Sequence, residues 1–201
     1  MKIIWHGHSC FSIDCEDGLI VLDPYKDNSV PGLKPLSLCA DLVLCSHQHD
    51  DHNALEVIQQ RLALKRFHVK KMNSFHDDVQ GQKRGNNTIH IISSENMTIV
   101  HLGDLGHELE DVNEIKNCDV LMIPVGGYYT IDAKAAHRII KKINPRIVIP
   151  MHYSSNTFGY DVLDHLECFL KDCQTIQYCS SNSIEINQST PSQTIVLKYQ
   201  E

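Results

Sequence analysis

The sequence lacks the segments that would assign the chain to a membrane, to secretion or to nucleic acid. Its longest apolar runs have the length of strands, so no membrane span is expected. Residues 1–6 show no apolar stretch with a small-residue cleavage site, and we therefore expect a cytoplasmic protein. The formal net charge is −7, and no basic stretch is longer than Lys70-Lys71 or Lys141-Lys142. Nucleic acid is not an expected partner, because binding a phosphate backbone needs a concentrated basic face.

Linkers, internal repeats and low-complexity blocks are also missing. The 201 residues fit one domain, residues 1–201, which is large enough to bury a core without disulfides. The eight cysteines include no Cys-x-x-Cys pair, which argues against a structural zinc knuckle. No serine or cysteine nucleophile motif is present, so the chemistry has to be sought elsewhere.

Histidine is abundant, and its densest cluster is the run 47–52, His-Gln-His-Asp-Asp-His. Imidazoles and carboxylates are ligands that hold zinc, manganese or iron. Side chains two residues apart point the same way in an extended chain, so His47 and His49 can share one ion. Asp51 and His52 can then turn towards a second ion. The apolar, strand-like segment before the run would hold these ligands rigidly.

The hydrophobic pattern predicts many short strands and few helices. Strands are predicted at residues 2–5, 10–15, 19–22, 42–45, 67–69, 88–92, 97–101, 120–123, 147–149, 184–186 and 194–197. Helices are predicted at residues 54–64, 108–115, 133–143 and 160–170. This pattern alone predicts one domain of mixed α/β structure.

The run 47–52 resembles the His-x-His-x-Asp-His signature of the metallo-β-lactamase superfamily. Other segments resemble the branch that includes ascorbate-6-phosphate lactonase and the N-acylphosphatidylethanolamine-hydrolysing phospholipase D, namely residues 5–11, 21–24, 101–104, 123–129 and 150–153. The resemblance implies an α+β fold, a four-layer αββα sandwich with two metal ions between two β-sheets. It names no substrate.

The remaining ligands are assigned from this resemblance and from local sequence. Asp104 is the expected bridging carboxylate, since Gly103 lets the backbone approach closely, although a turn or cap aspartate is the alternative. His152 resembles the last ligand of the superfamily, with a buried structural histidine as the alternative. His76 and His101 compete for the third histidine position. His76 begins a loop one hairpin before the Gly-Asp pair, whereas His101 lies inside a strand, so we expect His76 to bind metal and His101 to orient a ligand. The predicted set is His47, His49 and His76 on one ion, Asp51, His52 and His152 on the other, and Asp104 between them.

Two further residues are expected beside the ligands. Asp23, at the end of a strand, is expected to accept a hydrogen bond from a ligand histidine, and an ordinary turn aspartate is the alternative. His8 lies in a Gly-His-Ser motif that resembles the branch, and we expect it to line the pocket. The histidines without such context are interpreted as surface or packing residues: His68, His90, His107, His137 and His165.

Three residues are candidates for contact with substrate. Arg84, with the amides of residues 86 and 87, suits an anionic oxygen, although an ordinary polar turn is equally compatible. Tyr128 and Tyr129 follow a glycine turn at a strand end. They either contact substrate or pack on the helix at 133–143.

These residues predict a dinuclear metal-dependent hydrolase. Two ions roughly 3.5–4 Å apart share a water and lower its pKa towards neutrality, which gives a hydroxide nucleophile. The expected reaction is hydrolysis of an ester, lactone or phosphodiester in a small anionic substrate, with zinc or manganese, or else iron, as the metal. Asp51 is the expected catalytic carboxylate, because it can hold the nucleophile and help to protonate the leaving group. The alternatives are a metallonuclease, which would need an added basic arm, and a metal-binding module without turnover. A homo-oligomer is left open.

Overall fold

The computed structural model describes residues 1–61 and 66–200, and within them β-strands predominate. The strands are β1 (Lys2–Gly7), β2 (Cys10–Cys15), β3 (Gly18–Leu22), β4 (Leu38–Ala40), β5 (Leu42–Leu44), β6 (Ile58–Gln60), β7 (His68–Phe75), β8 (Asn86–Ser94), β9 (Met97–His101), β10 (Val120–Pro124), β11 (Ile147–Met151), β12 (Ile176–Tyr178), β13 (Ser183–Glu185) and β14 (Gln193–Val196). The helices are α1 (Ala133–Ile143) and α2 (Glu167–Leu170), with 3-10 turns at Leu55–Val57 and Asn113–Ile115.

The strands form two mixed sheets and a small two-stranded one. The first sheet has the order β13-β1-β2-β3-β5, with only β3 and β5 parallel. The second has the order β12-β14-β11-β10-β9-β8-β7, parallel from β12 to β9 and antiparallel from β9 to β7. The third pairs β4 with β6. Two mixed sheets of this kind agree with the predicted sandwich.

One apolar cluster joins the two large sheets. Ile3 and Phe11 of the first sheet belong to the same buried cluster as Ile99 of the second. Every residue of β10 and β11 is buried, as expected for parallel strands that are covered on both faces. No helix within residues 1–61 and 66–200 is long and apolar enough to cross a membrane.

Helix α1 begins and ends where the sequence predicts. The Asp132 side chain accepts a hydrogen bond from the Ala135 amide at 2.7 Å, which caps the first turn. Asn144 ends the helix in a left-handed conformation with φ 56°, and its amide donates to the Ile140 carbonyl. The buried side of α1 adds to the main apolar cluster. The helix predicted at 133–143 is therefore confirmed.

The other three predicted helices are wrong in whole or in part. Up to residue 61, the helix predicted at 54–64 is replaced by a 3-10 turn and by β6, whose backbone pairs with β4; residues 62–64 lie outside the described residues. The segment 108–115 contains only a 3-10 turn, because the Asp111 carboxylate accepts a hydrogen bond from the backbone N–H of Asn113 and fixes a turn. The segment 160–170 is helical only in α2, since the backbone around Asp164 bonds to Gly126 and Ser154 instead.

Candidate metal centre

The predicted site residues follow the ends of different strands. His8 follows β1, Asp23 follows β3, the run 47–52 follows β5, His76 follows β7, Asp104 follows β9 and His152 follows β11. Several of these positions have left-handed backbone conformations, which turn the chain sharply as each strand ends: the φ values are 50° at His8, 44° at Asp23 and 54° at His152. All of these residues except part of the run 47–52 are buried. The fold therefore collects side chains from both large sheets at one place.

Asp23 orients His52 directly and His47 through Ser46. Its Oδ1 accepts the Ser46 backbone N–H at 2.6 Å, and its Oδ2 accepts the Ser46 hydroxyl at 2.6 Å. The same Oδ2 lies 2.8 Å from Nδ1 of His52, and Ser46 Oγ lies 2.9 Å from Nδ1 of His47. With both Nδ1 atoms engaged, Nε2 of each ring is turned into the site, where it has no hydrogen-bond partner. This is how a ligating histidine is usually oriented.

Asp104 lies at the centre of the cluster. Its Oδ1 is 3.2 Å from Nε2 of His52, and its Oδ2 is 3.4 Å from Nε2 of His76 and 3.1 Å from Nε2 of His152. The Asp104 amide donates to the buried Asn87 side chain at 2.9 Å, which fixes the backbone. A Cβ on Gly103 would meet Asn87 Oδ1 at 2.4 Å, so only glycine fits at this position. The carboxylate thus faces histidines on either side.

Among the described residues, three groups of side chains could each hold a metal ion, with their ligand atoms within 4.8 Å of one another. The groups are His8, Asp51, His52 and His152; His47, His49 and His76; and His47, His52 and Asp104. Ligand atoms bound at about 2.0–2.2 Å to one ion lie ~3–3.5 Å apart, and the separations around Asp104 fall in this range. Nε2 of His47, Nε2 of His52 and both ring nitrogens of His8 are buried without a hydrogen-bond partner. The donor set therefore fits divalent metal ions.

The charges of the site favour a cation. Burial lowers the pKa of His47 to about 3 and that of His76 to about 4, which keeps both imidazoles neutral and able to bind metal. Burial also opposes a charge on His52, but Asp104, Asp51 and Asp23 outweigh it and raise the pKa of His52 well above its ordinary value. The three carboxylates therefore hold a proton on His52 that a divalent cation would displace.

The structure separates His76 from His101. Nε2 of His76 faces Asp104, and the residue groups with His47 and His49. His101 instead lies with Nε2 3.0 Å from the Ser9 carbonyl, while its Nδ1 accepts the Gly103 amide at 3.2 Å. Both of its nitrogens are used by the backbone, and it belongs to none of the three groups.

Asp77, which the sequence analysis overlooked, organises the loop after His76. Its carboxylate accepts four backbone N–H groups, from residues 79, 81, 83 and 84, at 2.7–2.9 Å. These bonds lower the pKa of Asp77 and outweigh its burial. The loop places Arg84 at the rim of the site. A carboxylate before a polar, glycine-containing loop was the available sequence signal.

A cavity of about 270 Å³ opens onto the cluster. Its lining consists of His49, Asp51, His76, Arg84, Asp104, Tyr129, His152 and Tyr160. The Arg84 guanidinium lies 5.5 Å from the centre of the Tyr129 ring and donates to the Tyr128 carbonyl at 3.2 Å. The Tyr128 side chain is 65% exposed and packs edge-on against Tyr129 instead of lining the cavity. Of the two tyrosines, Tyr129 is therefore the one at the pocket wall.

The amides expected beside Arg84 have other roles. Asn86 is exposed and its backbone pairs with Phe75 across β7 and β8. Asn87 is buried, where it binds the backbone of Asp104 and donates to the Leu102 carbonyl. Neither side chain lines the cavity.

Tyr160 is a pocket residue that sequence reasoning missed. Its hydroxyl lies 2.8 Å from the Ser29 carbonyl and 3.2 Å from Oδ2 of Asp51. Burial and the neighbouring Asp51 raise the pKa of Tyr160, so the phenol stays protonated. The residue lies in the segment that the pattern predicts as helix, and no motif marks it.

Comparison with known proteins identifies relatives along most of the chain. A family model described as a beta-lactamase superfamily domain matches residues 2–152. The UPF0173 metal-dependent hydrolase Ta0764 of Thermoplasma acidophilum is 30% identical in an alignment that covers 79% of this chain and 84% of that protein. The UPF0173 metal-dependent hydrolase TV0864 of Thermoplasma volcanium is 27% identical in an alignment that covers 83% of this chain and 88% of that protein.

A solved structure agrees with these relatives. A Thermotoga maritima protein, described as a Zn-dependent hydrolase of the metallo-beta-lactamase superfamily, superposes with a TM-score of 0.80 at 30% identity over 99% of both chains. The predicted α+β metallo-β-lactamase fold is thereby confirmed. The chain belongs to the beta-lactamase superfamily and, within it, to the UPF0173 family of metal-dependent hydrolases.

Proposed function

We propose that the protein holds two divalent ions and hydrolyses a small anionic substrate. The observation that carries the proposal is the position of Asp104 between two groups of ligand atoms that open onto one cavity. The proposed ligands are His47, His49 and His76 for one ion and Asp51, His52 and His152 for the other, with Asp104 between them. Two such ions, when bound, activate a water molecule and polarise a carbonyl or phosphoryl oxygen of the substrate.

Asp51 is the proposed catalytic carboxylate. It lines the cavity, and its Oδ2 lies 3.2 Å from the Tyr160 hydroxyl and 3.3 Å from Nε2 of His8. Burial would raise its pKa, but His52 and His8 outweigh burial and hold the pKa well below the ordinary range. An ionised Asp51 can hold the attacking water by a hydrogen bond, take up a proton from that water and donate the same proton to the leaving group.

The cavity wall favours a small anion. Arg84 is a cation beside Tyr129, so the wall combines a guanidinium with an aromatic face. Tyr160 adds a protonated phenol at the wall, where its single proton is shared between the Ser29 carbonyl and Asp51. Lactones and phosphodiesters are the first substrate classes to test. The segments at residues 5–11 and 123–129 resemble those of enzymes that hydrolyse lactones or phosphodiesters. Zinc and manganese are the first metals to test.

The test is a hydrolysis screen over phosphodiesters, lactones, thioesters and β-lactams, with the metal-stripped protein reloaded with Zn²⁺, Mn²⁺ or Fe²⁺. The proposal expects metal-dependent hydrolysis of at least one anionic substrate. Arg84→Gln should raise KM for that substrate, whereas the matched variant Arg138→Gln should not, because Arg138 pairs with Glu108 away from the cavity. Hydrolysis that persists undiminished in Asp51→Asn, or that needs no metal, would refute the proposal.

A further inference from the structure

His8 is buried beside the proposed ligands, although none of the proposed roles includes it. The residue is 1% exposed and has a left-handed φ of 50°, which is unusual for a histidine. Its carbonyl accepts the indole N–H of Trp5 at 3.0 Å and the amide of His152 at 3.3 Å. These bonds fix the backbone at a sharp turn and hold the imidazole between the two large sheets.

The imidazole of His8 contacts three members of one ligand group. Its ring centre lies 4.1 Å from that of His152 and 5.2 Å from that of His52. Its Nε2 lies 3.3 Å from Oδ2 of Asp51, but without the alignment of a hydrogen bond. One ligand atom from each of the four residues lies within 4.8 Å of the others. Ligand atoms that lie this close together without bonding each other could bind one ion.

Neither ring nitrogen of His8 has a hydrogen-bond partner. A buried polar atom without a partner is unfavourable, and the left-handed backbone adds strain. His90 is equally buried, and its ring nitrogens also lack partners, but it belongs to none of the three groups of candidate ligands. Burial without a partner is therefore not sufficient to identify a ligand, and the convergence with Asp51, His52 and His152 is the feature that distinguishes His8.

We propose that His8 is a further metal ligand, on the ion held by Asp51, His52 and His152. This inference rests on the proposed function, because it adds a residue to one of the two proposed sites. With Asp104 included, that site has five protein ligands, more than the four that zinc usually takes. A ligand number of five or six suits Mn²⁺ or Fe²⁺ better, so the two sites of this chain would differ in metal preference.

The test is nitrogen NMR of the protein labelled with ¹⁵N in its histidine rings, metal-free and loaded with Zn²⁺. His8→Asn identifies the His8 resonances by their loss, and asparagine is chosen because it tolerates a positive φ. We expect a ring nitrogen of His8 to shift on zinc loading, together with those of His52 and His152, while His90 does not respond. An unchanged His8 resonance in the zinc-loaded wild-type protein, assigned by through-bond correlation where the variant does not fold, would overturn the proposal.

Metal titration provides the second readout. His8→Asn should weaken the binding of one zinc equivalent by at least ~10-fold and leave the other unchanged, whereas the control His90→Asn should bind both as the wild type does. Wild-type affinity for both equivalents in His8→Asn would also overturn the proposal. If the wild type binds one equivalent and His8 still responds, the two-ion function fails while the His8 assignment stands. If the wild type binds two equivalents and the His8 resonance does not shift, the His8 assignment fails while the two-ion function stands.

Discussion

Asp23→Asn should weaken metal binding although Asp23 is not itself a proposed ligand. The wild-type carboxylate accepts three hydrogen bonds, from the Ser46 amide, the Ser46 hydroxyl and Nδ1 of His52. An asparagine amide has one acceptor oxygen. If that oxygen takes the place of Oδ2, it keeps two of the bonds, and the amide nitrogen then faces the Ser46 N–H. The buried Ser46 N–H then has no acceptor and faces another donor, which costs at least about 1–3 kcal/mol in the free energy of unfolding.

The loss of charge acts on the metal site separately. His52 would donate to a neutral amide, so its Nε2 becomes a weaker ligand. Changes of this kind lower metal affinity by about 10–100-fold, which corresponds to about 1.4–2.7 kcal/mol. Urea unfolding of the metal-free protein measures the first effect, and titration against a competing chelator measures the second.

The matched control for this prediction is Asp41→Asn. Asp41 also accepts a backbone N–H, from Leu19 at 2.8 Å, but its other partner is Arg61 and it lies in none of the ligand groups. It should leave metal affinity unchanged. If Asp23→Asn binds metal as tightly as the wild type does, the proposed orientation of His52 by Asp23 is refuted.

Three further predictions follow from the geometry. His76→Ala should weaken one metal site strongly, whereas His101→Ala should leave both ions bound and reduce activity by about 10–100-fold. Metal analysis of both variants tests this. Loss of metal in His101→Ala but not in His76→Ala would show that His101 is the ligand. Tyr160→Phe should lower turnover about 2–10-fold, since one hydrogen bond to Asp51 contributes about 0.5–1.5 kcal/mol, and unchanged kcat and KM would remove Tyr160 from the mechanism. The effect of His52 outweighs burial and lowers the pKa of Asp23 to about 2, below its ordinary value of 3.8. The ionised Asp23 should therefore stabilise the metal-free protein above pH 4, and about 2 kcal/mol of the free energy of unfolding should be lost as the pH falls towards 2. Denaturant titrations at several pH values should show a smaller loss in Asp23→Asn.

The sequence predicts the central strands and helix α1 because their signals are local. The apolar runs of β10 and β11 need only be buried, and Asp132 and Asn144 mark the ends of α1 with ordinary capping chemistry. The structure of segment 54–61 cannot be predicted from its local sequence. Its spacing fits a helix, but β6 pairs with β4, a partner that lies about 20 residues earlier in the chain and that the pattern does not reveal.

The candidate site divides in the same way. The proposed ligands within the run 47–52 can be recognised in the sequence because they are adjacent. Ser46 and Tyr160 are not, because their importance depends on Asp23 and Asp51, which reach them from distant segments. His8 lies in a segment that resembles a family motif. Its contact with His152, however, depends on the packing of the β1–β2 turn against the end of β11, which the sequence does not show. Such contacts between strand ends are products of the fold.

Metal content is the most direct test of the two-ion centre. The purified protein, stripped and reloaded with Zn²⁺ or Mn²⁺, should bind close to two equivalents per chain by inductively coupled plasma mass spectrometry, because the proposed ligands outnumber the four that a single zinc ion usually takes. Asp104→Ala should lower the affinity for both ions, since its two carboxylate oxygens face both groups of ligands. A single equivalent in the wild type, or full hydrolytic activity in the stripped protein, would contradict the account.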